Sequence, residues 1–166
     1  MCEESNGQQG NEDSIWLKQT INNACGLYAI LHAIFNSKAR DMLRPASLAK
    51  TLFEACSSLP ADERPLVLEN SAELENLYAQ VAMQGTSSVP DNPEDEVDWH
   101  YVCFAKSQAS GRLYELDGDR KGPLDRGLLG PDDDALALGG LRVIREYVRH
   151  ERESNDFSLM ALVSQE

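Results

Sequence analysis

The sequence predicts an α+β fold in which helices pack around a small, largely antiparallel sheet. Two observations carry this prediction: a strongly apolar helical segment that begins near Cys25, and a β-hairpin pattern between residues 99 and 118. With 166 residues, 42% of them hydrophobic, the chain is long enough for one domain with one core. We therefore expect a single domain over residues 15–166, preceded by a flexible lead-in over residues 1–14.

The helix predicted from Cys25 to about Ser37 is apolar around nearly its whole circumference, which indicates that it lies inside the core. Asn22 or Asn23 is placed to cap its N-terminus. Its apolar residues are Leu27, Ala29, Ile30, Leu31, Ala33, Ile34 and Phe35.

Two shorter helices are predicted next, one from Ser47 to about Cys56 and one directly after Pro60, where Ala-Asp-Glu suits a helix N-terminus. Periodicity is lost after Met83. The Gly, Ser, Pro and acidic residues that follow, as far as Asp98, predict a long surface loop.

The hairpin pattern consists of WHYVCFA, the turn-like KSQASG, and RLYELDG. If Ser107 to Ser110 form the loop, residue 106 pairs with 111 and His100 pairs with Asp117, so that both side chains lie on one face of the ladder. Residues 118–131 are expected to be irregular. A helix from about 133 to 150 and a final strand at 157–163 complete the prediction.

Composition excludes several classes of protein. The 28 acidic and 15 basic residues give a net charge of −13, which argues against nucleic-acid binding and favours either a basic partner or simply a solvated acidic surface. No run of 18 apolar residues and no basic leader followed by an apolar run are present, so we expect a protein without a membrane segment, located in the cytoplasm and also in the nucleus. The four cysteines show no ligand spacing, so reduced thiols and no metal or other cofactor are expected.

Cys25 is the candidate nucleophile, because a thiol in the first turn of a helix meets the partial positive charge of the helix N-terminus. The alternative is that Cys25 is a small core residue. Of the three histidines, His32 lies on the same helix about 10 Å from Cys25 at about 1.5 Å per residue, too far to accept its proton. His150 lies at a predicted helix C-terminus, where the helix dipole alone favours a surface imidazole. His100 remains as the candidate base.

Asp117 and Gln19 complete the candidate site. The predicted register brings Asp117 within reach of the His100 ring, as the orienting carboxylate of a catalytic triad requires; otherwise Asp-Gly is a common turn dipeptide. Gln19 lies six residues before Cys25, from where its amide can donate to an oxyanion. By itself a glutamine at this position means little.

The segments LKQTINNACGLYAILHAIFN, DWHYVCFA and GRLYELDGDRKGP resemble the ubiquitin C-terminal hydrolases, which are small papain-like thiol proteases. The resemblance runs from about Leu17 to Val163. It implies a papain-like cysteine protease core in which Cys25 is the nucleophile, His100 the general base and then acid, Asp117 the residue that orients His100, and Gln19 the oxyanion-hole residue.

The resemblance also implies a deubiquitinase that cleaves after the C-terminal glycine of ubiquitin, with a loop within about 70–97 that crosses over the active site and restricts substrates to small or unstructured ubiquitin adducts. We expect a monomer. Because only 18 residues precede Gln19, the chain is expected to lack the usual N-terminal portion of this family. The alternatives are a catalytically impaired ubiquitin-binding module and a papain-like hydrolase that acts on another peptide or amide.

Overall fold

The structure, a computed structural model, describes residues 13–85, 95, 97, 99–150 and 157–163. It has the predicted α+β architecture. The helices are α1 (Cys25–Phe35), α2 (Leu48–Ser57), α3 (Arg64–Glu69), α4 (Ala72–Ala82) and α5 (Leu141–His150), with a 3₁₀ helix at Lys38–Met42 and a π-helix at Ala135–Gly140. The strands are β1 (Cys103–Lys106), β2 (Arg112–Leu116) and β3 (Leu124–Leu128).

The three strands form an antiparallel sheet in the order β1-β2-β3, with core residues on both of its faces. One face, which carries Tyr114 and Leu116, packs against alanines of α1. The opposite face, which carries Leu113, packs against Val143 of α5. A third group of apolar residues joins α1 to α2, α3 and α4. The sheet therefore lies between α1 and α5.

The helix α1 forms at the predicted place, but its N-terminus differs from the prediction. Ala24 is the N-cap residue and no side chain caps the helix, so the prediction of an Asn22 or Asn23 cap is wrong. Asn23 instead adopts a left-handed φ of 54°, a conformation that asparagine tolerates better than most residues. The first backbone N–H groups of α1 are thus left without a side-chain acceptor.

Two buried polar side chains of α1 hold the segment that carries Gln19. The Leu17 N–H donates to His32 Nε2 at 2.9 Å, and the Ile15 N–H donates to Asn36 Oδ1 at 2.7 Å. The Asn36 amide donates in return to the Ile15 carbonyl at 2.8 Å. Ser14, predicted within the flexible lead-in, is buried, whereas residues 1–12 lie outside the described part. We call residues 15–19 the strap.

The hairpin forms, but its predicted register is wrong by two residues. Cys103 pairs with Leu116 and Lys106 with Leu113, so that the loop is 108–111. Gly111 adopts a φ of 71°, which a side chain would disfavour, and the Ser107 N–H donates to the Arg112 carbonyl at 2.8 Å. A slip of two residues leaves each side chain on the same face, because side chains in a strand alternate with a period of two.

The predicted irregular segment 118–131 is also wrong, because it contains β3. The Arg126 guanidinium donates to the fully buried Glu115 of β2, and Arg112 pairs with Asp125 across the same two strands. These charge pairs compensate for the few apolar residues in β3.

The predicted helix over 133–150 is interrupted. Residues 135–140 form a π-turn, and α5 begins only at Leu141. A Cβ on Gly140 would lie 2.7 Å from the Ala135 carbonyl oxygen, and one on Gly139 would lie 2.9 Å from Leu113 Cδ2. The π-turn therefore needs glycine at both positions. Its residue Gly139 lies close to Leu113 of the sheet.

The remaining differences lie in the connections. The helix after Pro60 begins at Arg64, later than predicted, and Ala61 to Glu63 form a turn. The helix α4 occupies part of the segment 70–97, in which a loop over the active site was expected. Residues 86–94, 96 and 98 of the predicted surface loop lie outside the described part. Residues 157–163 are exposed and form no strand, contrary to the prediction. Among the described helices, none has the length and apolar character needed to cross a membrane.

The buried histidine of α1 predicts an acid-sensitive fold. Burial lowers the pKa of His32 to about 4, and the charge of Asp117 offsets only part of this effect. In the unfolded chain this imidazole binds a proton below about pH 6.5, whereas the folded chain binds it only below about 4. The free energy of unfolding should therefore fall by about 3 kcal/mol as the pH falls from about 6.5 to 4.

Urea unfolding at several pH values between 7.5 and 4.5 measures this contribution. His32→Gln keeps an acceptor for the Leu17 N–H and removes the titration, so its unfolding free energy should depend less steeply on pH than that of the wild type. Equal pH slopes in the two proteins would show that His32 does not titrate between the two states.

Candidate active site

Cys25 is the first residue of α1, and only 8% of it is exposed. The uncapped N–H groups of this turn and the helix dipole both favour negative charge at this position. Tyr78 of α4 lies next to the same turn, where its hydroxyl donates to the Asn23 carbonyl at 3.2 Å. Burial raises the pKa of Tyr78, and the negative charge of a Cys25 thiolate raises it further. The surroundings of Cys25 thus suit an anion.

His100 and Asp117 form a hydrogen-bonded pair. The ring N–H at Nε2 of His100 donates to Asp117 Oδ1 at 2.7 Å. Asp117 is 8% exposed, and its Oδ1 also accepts the Asp119 N–H at 2.9 Å. The Trp16 indole donates to the Asp117 backbone carbonyl at 2.9 Å. The carboxylate is therefore held from several directions and presents one oxygen to the imidazole.

The opposite ring nitrogen of His100 also has an acidic neighbour. Its Nδ1 lies 3.6 Å from Asp119 Oδ2, on an exposed side chain. His100 itself lies three residues before β1, so the ladder does not hold it directly. Its contact with Asp117 was predicted from a register that is wrong, and it forms because the segment before β1 passes along the end of β2.

Two contacts link the segments that carry the predicted site residues. The Gln19 N–H donates to the Gly118 carbonyl at 2.9 Å, which places the strap beside Asp117. Gly26 faces Tyr101, whose Cδ2 lies 3.7 Å from the position that a Cβ on Gly26 would take. The start of α1 thus lies against the segment that carries His100.

Within the described part of the chain, no hydrogen bond joins the sulfur of Cys25 to the ring of His100. The structure therefore brings His100 to Asp117 and Gln19 to Gly118, whereas in the described chain Cys25 and His100 are related only through the contact of their neighbours Gly26 and Tyr101. Contacts between catalytic groups are commonly loose in a free enzyme and tighten in the substrate complex. The Gln19 Oε1 is buried and accepts no hydrogen bond from the described residues.

Four residues around the site were not singled out from the sequence: Trp16, Tyr78, Asp119 and Arg120. Asp119 and Arg120 directly follow the Asp-Gly pair, so their nearness to Asp117 could have been expected from sequence position alone. Trp16 and Tyr78 reach the site from distant parts of the chain, and no motif marks them.

The other described cysteines, Cys56 and Cys103, are also buried. Burial raises the pKa of Cys56 to about 11 and that of Cys103 to about 12, so both remain thiols at neutral pH. Of the described residues, His100, Asp117 and Asp119 form the one acidic and histidine group whose potential metal-ligand atoms lie within 4.8 Å of one another. The direct bond between His100 and Asp117 already uses two of these atoms.

Gly118, the residue after Asp117, packs closely against Gln19 of the strap. A Cβ on Gly118 would lie 2.6 Å from Gln19 Cβ and 3.1 Å from its backbone nitrogen, so Gly118→Ala must displace the strap. If the chain has the hydrolase activity expected from its sequence, this variant should lower cleavage of a ubiquitin C-terminal amide by about 100-fold, because a displacement of about 1 Å at a reacting group has an effect of this size.

Gly122→Ala is the matched control, because a Cβ on Gly122 would have nothing within 4 Å. Both variants add one methyl group to the same connection between β2 and β3. Full activity of Gly118→Ala, with the thermal stability of the wild type, would contradict the close contact between Gly118 and Gln19.

The chain is similar to known proteins of one family. Residues 2–149 match the model of the family described as ubiquitin carboxyl-terminal hydrolase, family 1, a peptidase family. The chain belongs to this family. The resemblance and the fold class predicted from the sequence are both confirmed.

Individual relatives cover most of the chain. Ubiquitin carboxyl-terminal hydrolase 3 of Arabidopsis thaliana is 32% identical over 148 residues, which are 89% of this chain and 59% of the relative. The human ubiquitin carboxyl-terminal hydrolase isozyme L1 is 28% identical over 160 residues, 96% of this chain and 68% of the relative. The chain thus spans about three fifths to two thirds of the length of these family members.

Solved structures of the family share the fold. The catalytic domain of UCH37 from Trichinella spiralis, solved bound to ubiquitin vinyl methyl ester, superimposes with a TM-score of 0.69 and 23% identity. The match covers 92% of this chain and 64% of that chain. At this identity the likeness shows the fold.

Proposed function

We propose that the chain is a thiol-dependent ubiquitin C-terminal hydrolase, a cysteine protease that cleaves esters, amides or peptide bonds after the C-terminal glycine of ubiquitin. The observation that carries the proposal is the hydrogen bond of His100 to the buried Asp117, in a family member whose Cys25 begins an uncapped helix. Membership of the family supports the choice of ubiquitin as the substrate.

The reaction is acyl transfer. The Cys25 thiol passes its proton to His100. The resulting thiolate attacks the carbonyl carbon of the last glycine of ubiquitin, and the carbonyl oxygen becomes an oxyanion. The oxyanion collapses to a thioester as the bond to the leaving group breaks, and His100 gives its proton to that leaving group. His100 then accepts a proton from water, which attacks the thioester and releases ubiquitin and the free thiol.

Two further residues support this chemistry. Asp117 accepts from Nε2 of His100, which leaves Nδ1 as the nitrogen that exchanges a proton with Cys25. The side-chain amide of Gln19 carries N–H donors that can stabilise the oxyanion together with the first N–H groups of α1. Substrate binding has to bring Nδ1 from the neighbourhood of Asp119 to Cys25.

The substrate range and cellular setting are further proposals. Residues 15–166 form the catalytic domain, and the loop within about 70–97 restricts substrates to small or unstructured ubiquitin adducts. The net charge of −13 suits the basic tail of ubiquitin and opposes binding to nucleic acid. We propose a monomer without cofactors that acts in the ubiquitin pathway of the cytoplasm and nucleus.

Reaction with ubiquitin vinyl methyl ester tests the proposal. We expect one ubiquitin to be added per chain, and peptide mapping should place the adduct on Cys25 rather than on the buried Cys56 or Cys103. The proposal fails if the folded protein forms no adduct, or if the adduct lies on another cysteine.

A second candidate is a catalytically impaired ubiquitin-binding module. It is favoured by the lack of a hydrogen bond between the described Cys25 and His100. Isothermal titration with unmodified ubiquitin separates the two functions when it is combined with the probe, because a binding module would show affinity and no adduct.

A further inference from the structure

The carboxylate that orients His100 lies next to a buried charge cluster. Glu115 of β2 is fully buried, two residues before Asp117. Arg126 donates to Glu115 Oε2 at 2.8 Å through Nε, and the Tyr147 hydroxyl of α5 donates to Glu115 Oε1 at 2.8 Å. A buried carboxylate needs such partners, because an unpaired charge in the interior is strongly unfavourable.

Arg120 joins this cluster to the active site. Its Nη2 lies 3.3 Å from Glu115 Oε1, and its Nε lies 3.5 Å from Asp117 Oδ2. The planar guanidinium, whose donors lie in one rigid plane, therefore lies between two carboxylates. Oδ1 of Asp117 faces His100, so the two oxygens of this carboxylate have different partners.

We propose that Arg120 is a positioning residue for the reaction. By pairing with Oδ2, it opposes rotation of the Asp117 carboxylate and keeps Oδ1 directed at Nε2 of His100. Because Glu115 holds Arg120 on its other side, the buried cluster under α5 fixes the orientation of the catalytic pair. The kinetic part of this inference rests on the proposed hydrolase function.

The cluster also gives α5 a way to affect the active site. Tyr147 contributes its hydroxyl to Glu115, and its ring lies 5.7 Å from the Arg126 guanidinium carbon, a cation–π distance. Burial raises the pKa of Tyr147, and its hydrogen bond with Glu115 raises it further, so the hydroxyl remains a donor. A shift of α5 along the sheet would move Glu115 and Arg120 together.

Arg120→Gln tests the inference. We expect kcat for a ubiquitin C-terminal amide to fall about tenfold with KM changed less than twofold, because the pair is misoriented while the binding surface is kept. Arg120→Lys, which keeps the charge, should recover part of kcat. Arg112→Gln is the control, because Arg112 of β2 forms a more exposed ion pair with Asp125 of β3.

A double variant distinguishes positioning from a general structural effect. In an Asp117→Asn background the carboxylate that Arg120 pairs with is absent, so Arg120→Gln should have little further effect on kcat. A full tenfold loss in that background, or a rise in KM that accounts for the whole loss, would overturn the proposal.

A readout without ubiquitin separates this inference from the proposed function. The NMR signal of the His100 Nε2 proton reports its bond to Asp117 directly. Arg120→Gln should speed exchange of this proton with water severalfold, whereas Arg112→Gln should leave it unchanged. Unchanged exchange in Arg120→Gln would overturn the inference, even if the wild type proves inactive and only the hydrolase assignment fails.

Discussion

Replacement of Cys25 by alanine should reduce hydrolysis of a ubiquitin C-terminal fluorogenic amide to the rate measured without enzyme, a loss of about 10⁵-fold or more. Alanine has no nucleophile, so no thioester can form, and neither His100 nor Gln19 can replace that step. Binding of ubiquitin should be retained, because the substitution removes a single sulfur atom from a nearly buried position.

Cys56→Ala is the matched control for this variant. Cys56 is fully buried at the end of α2, and its raised pKa makes it unreactive. We expect full activity and a stability loss of about 1 kcal/mol, as for removal of a small buried group. Residual turnover by Cys25→Ala that survives repurification, or loss of activity in Cys56→Ala, would contradict the assignment of the nucleophile.

Asp117→Ala should have the second largest effect, a fall in kcat of about 10³- to 10⁴-fold. Without the carboxylate, Nε2 of His100 loses its acceptor, and the imidazolium formed during the reaction loses its stabilising charge. The kcat of Asp117→Asn should lie between the values for Asp117→Ala and the wild type, because an amide oxygen can still accept from Nε2 but carries no charge.

Asp125→Ala controls for loss of a carboxylate from the same sheet. Asp125 pairs with Arg112 on the exposed edge and makes no contact with His100, so kcat should change less than twofold. If Asp117→Ala were as active as Asp125→Ala, the bond between His100 and Asp117 would be structural and the site would lack an orienting residue.

The parts of the fold that could be predicted from sequence are those with a strong local pattern. The continuous apolar run of α1 and the alternation around the hairpin each indicate one structure, and both form. The hairpin register could not be fixed in the same way, because KSQASG allows two loops of equal length. Gly111, with its left-handed φ, decides between them, and the two registers share side-chain faces, so the contact of His100 with Asp117 was reached in either case.

The parts that could not be predicted depend on contacts between distant segments. The strand β3 has few apolar residues and is held by charge pairs of Arg126 with Glu115 and of Asp125 with Arg112, which leave no periodic signal. The cap of α1 was predicted from the residue type of Asn22 and Asn23. In the structure the Asn23 carbonyl instead accepts a hydrogen bond from Tyr78 of α4. The role of Arg120 depends on the packing of α5 and is invisible before the fold is known.

The strap links the stability of the fold to the position of Gln19. Its backbone is bound to His32 and Asn36 within the interior of the protein, and two residues later the same segment presents Gln19 to the reaction. Acidification that charges the His32 ring would therefore break the anchor of the oxyanion donor and weaken the domain at the same moment. The proposed hydrolase should therefore lose activity over the same acid range in which its stability falls, and should recover both when neutral pH is restored.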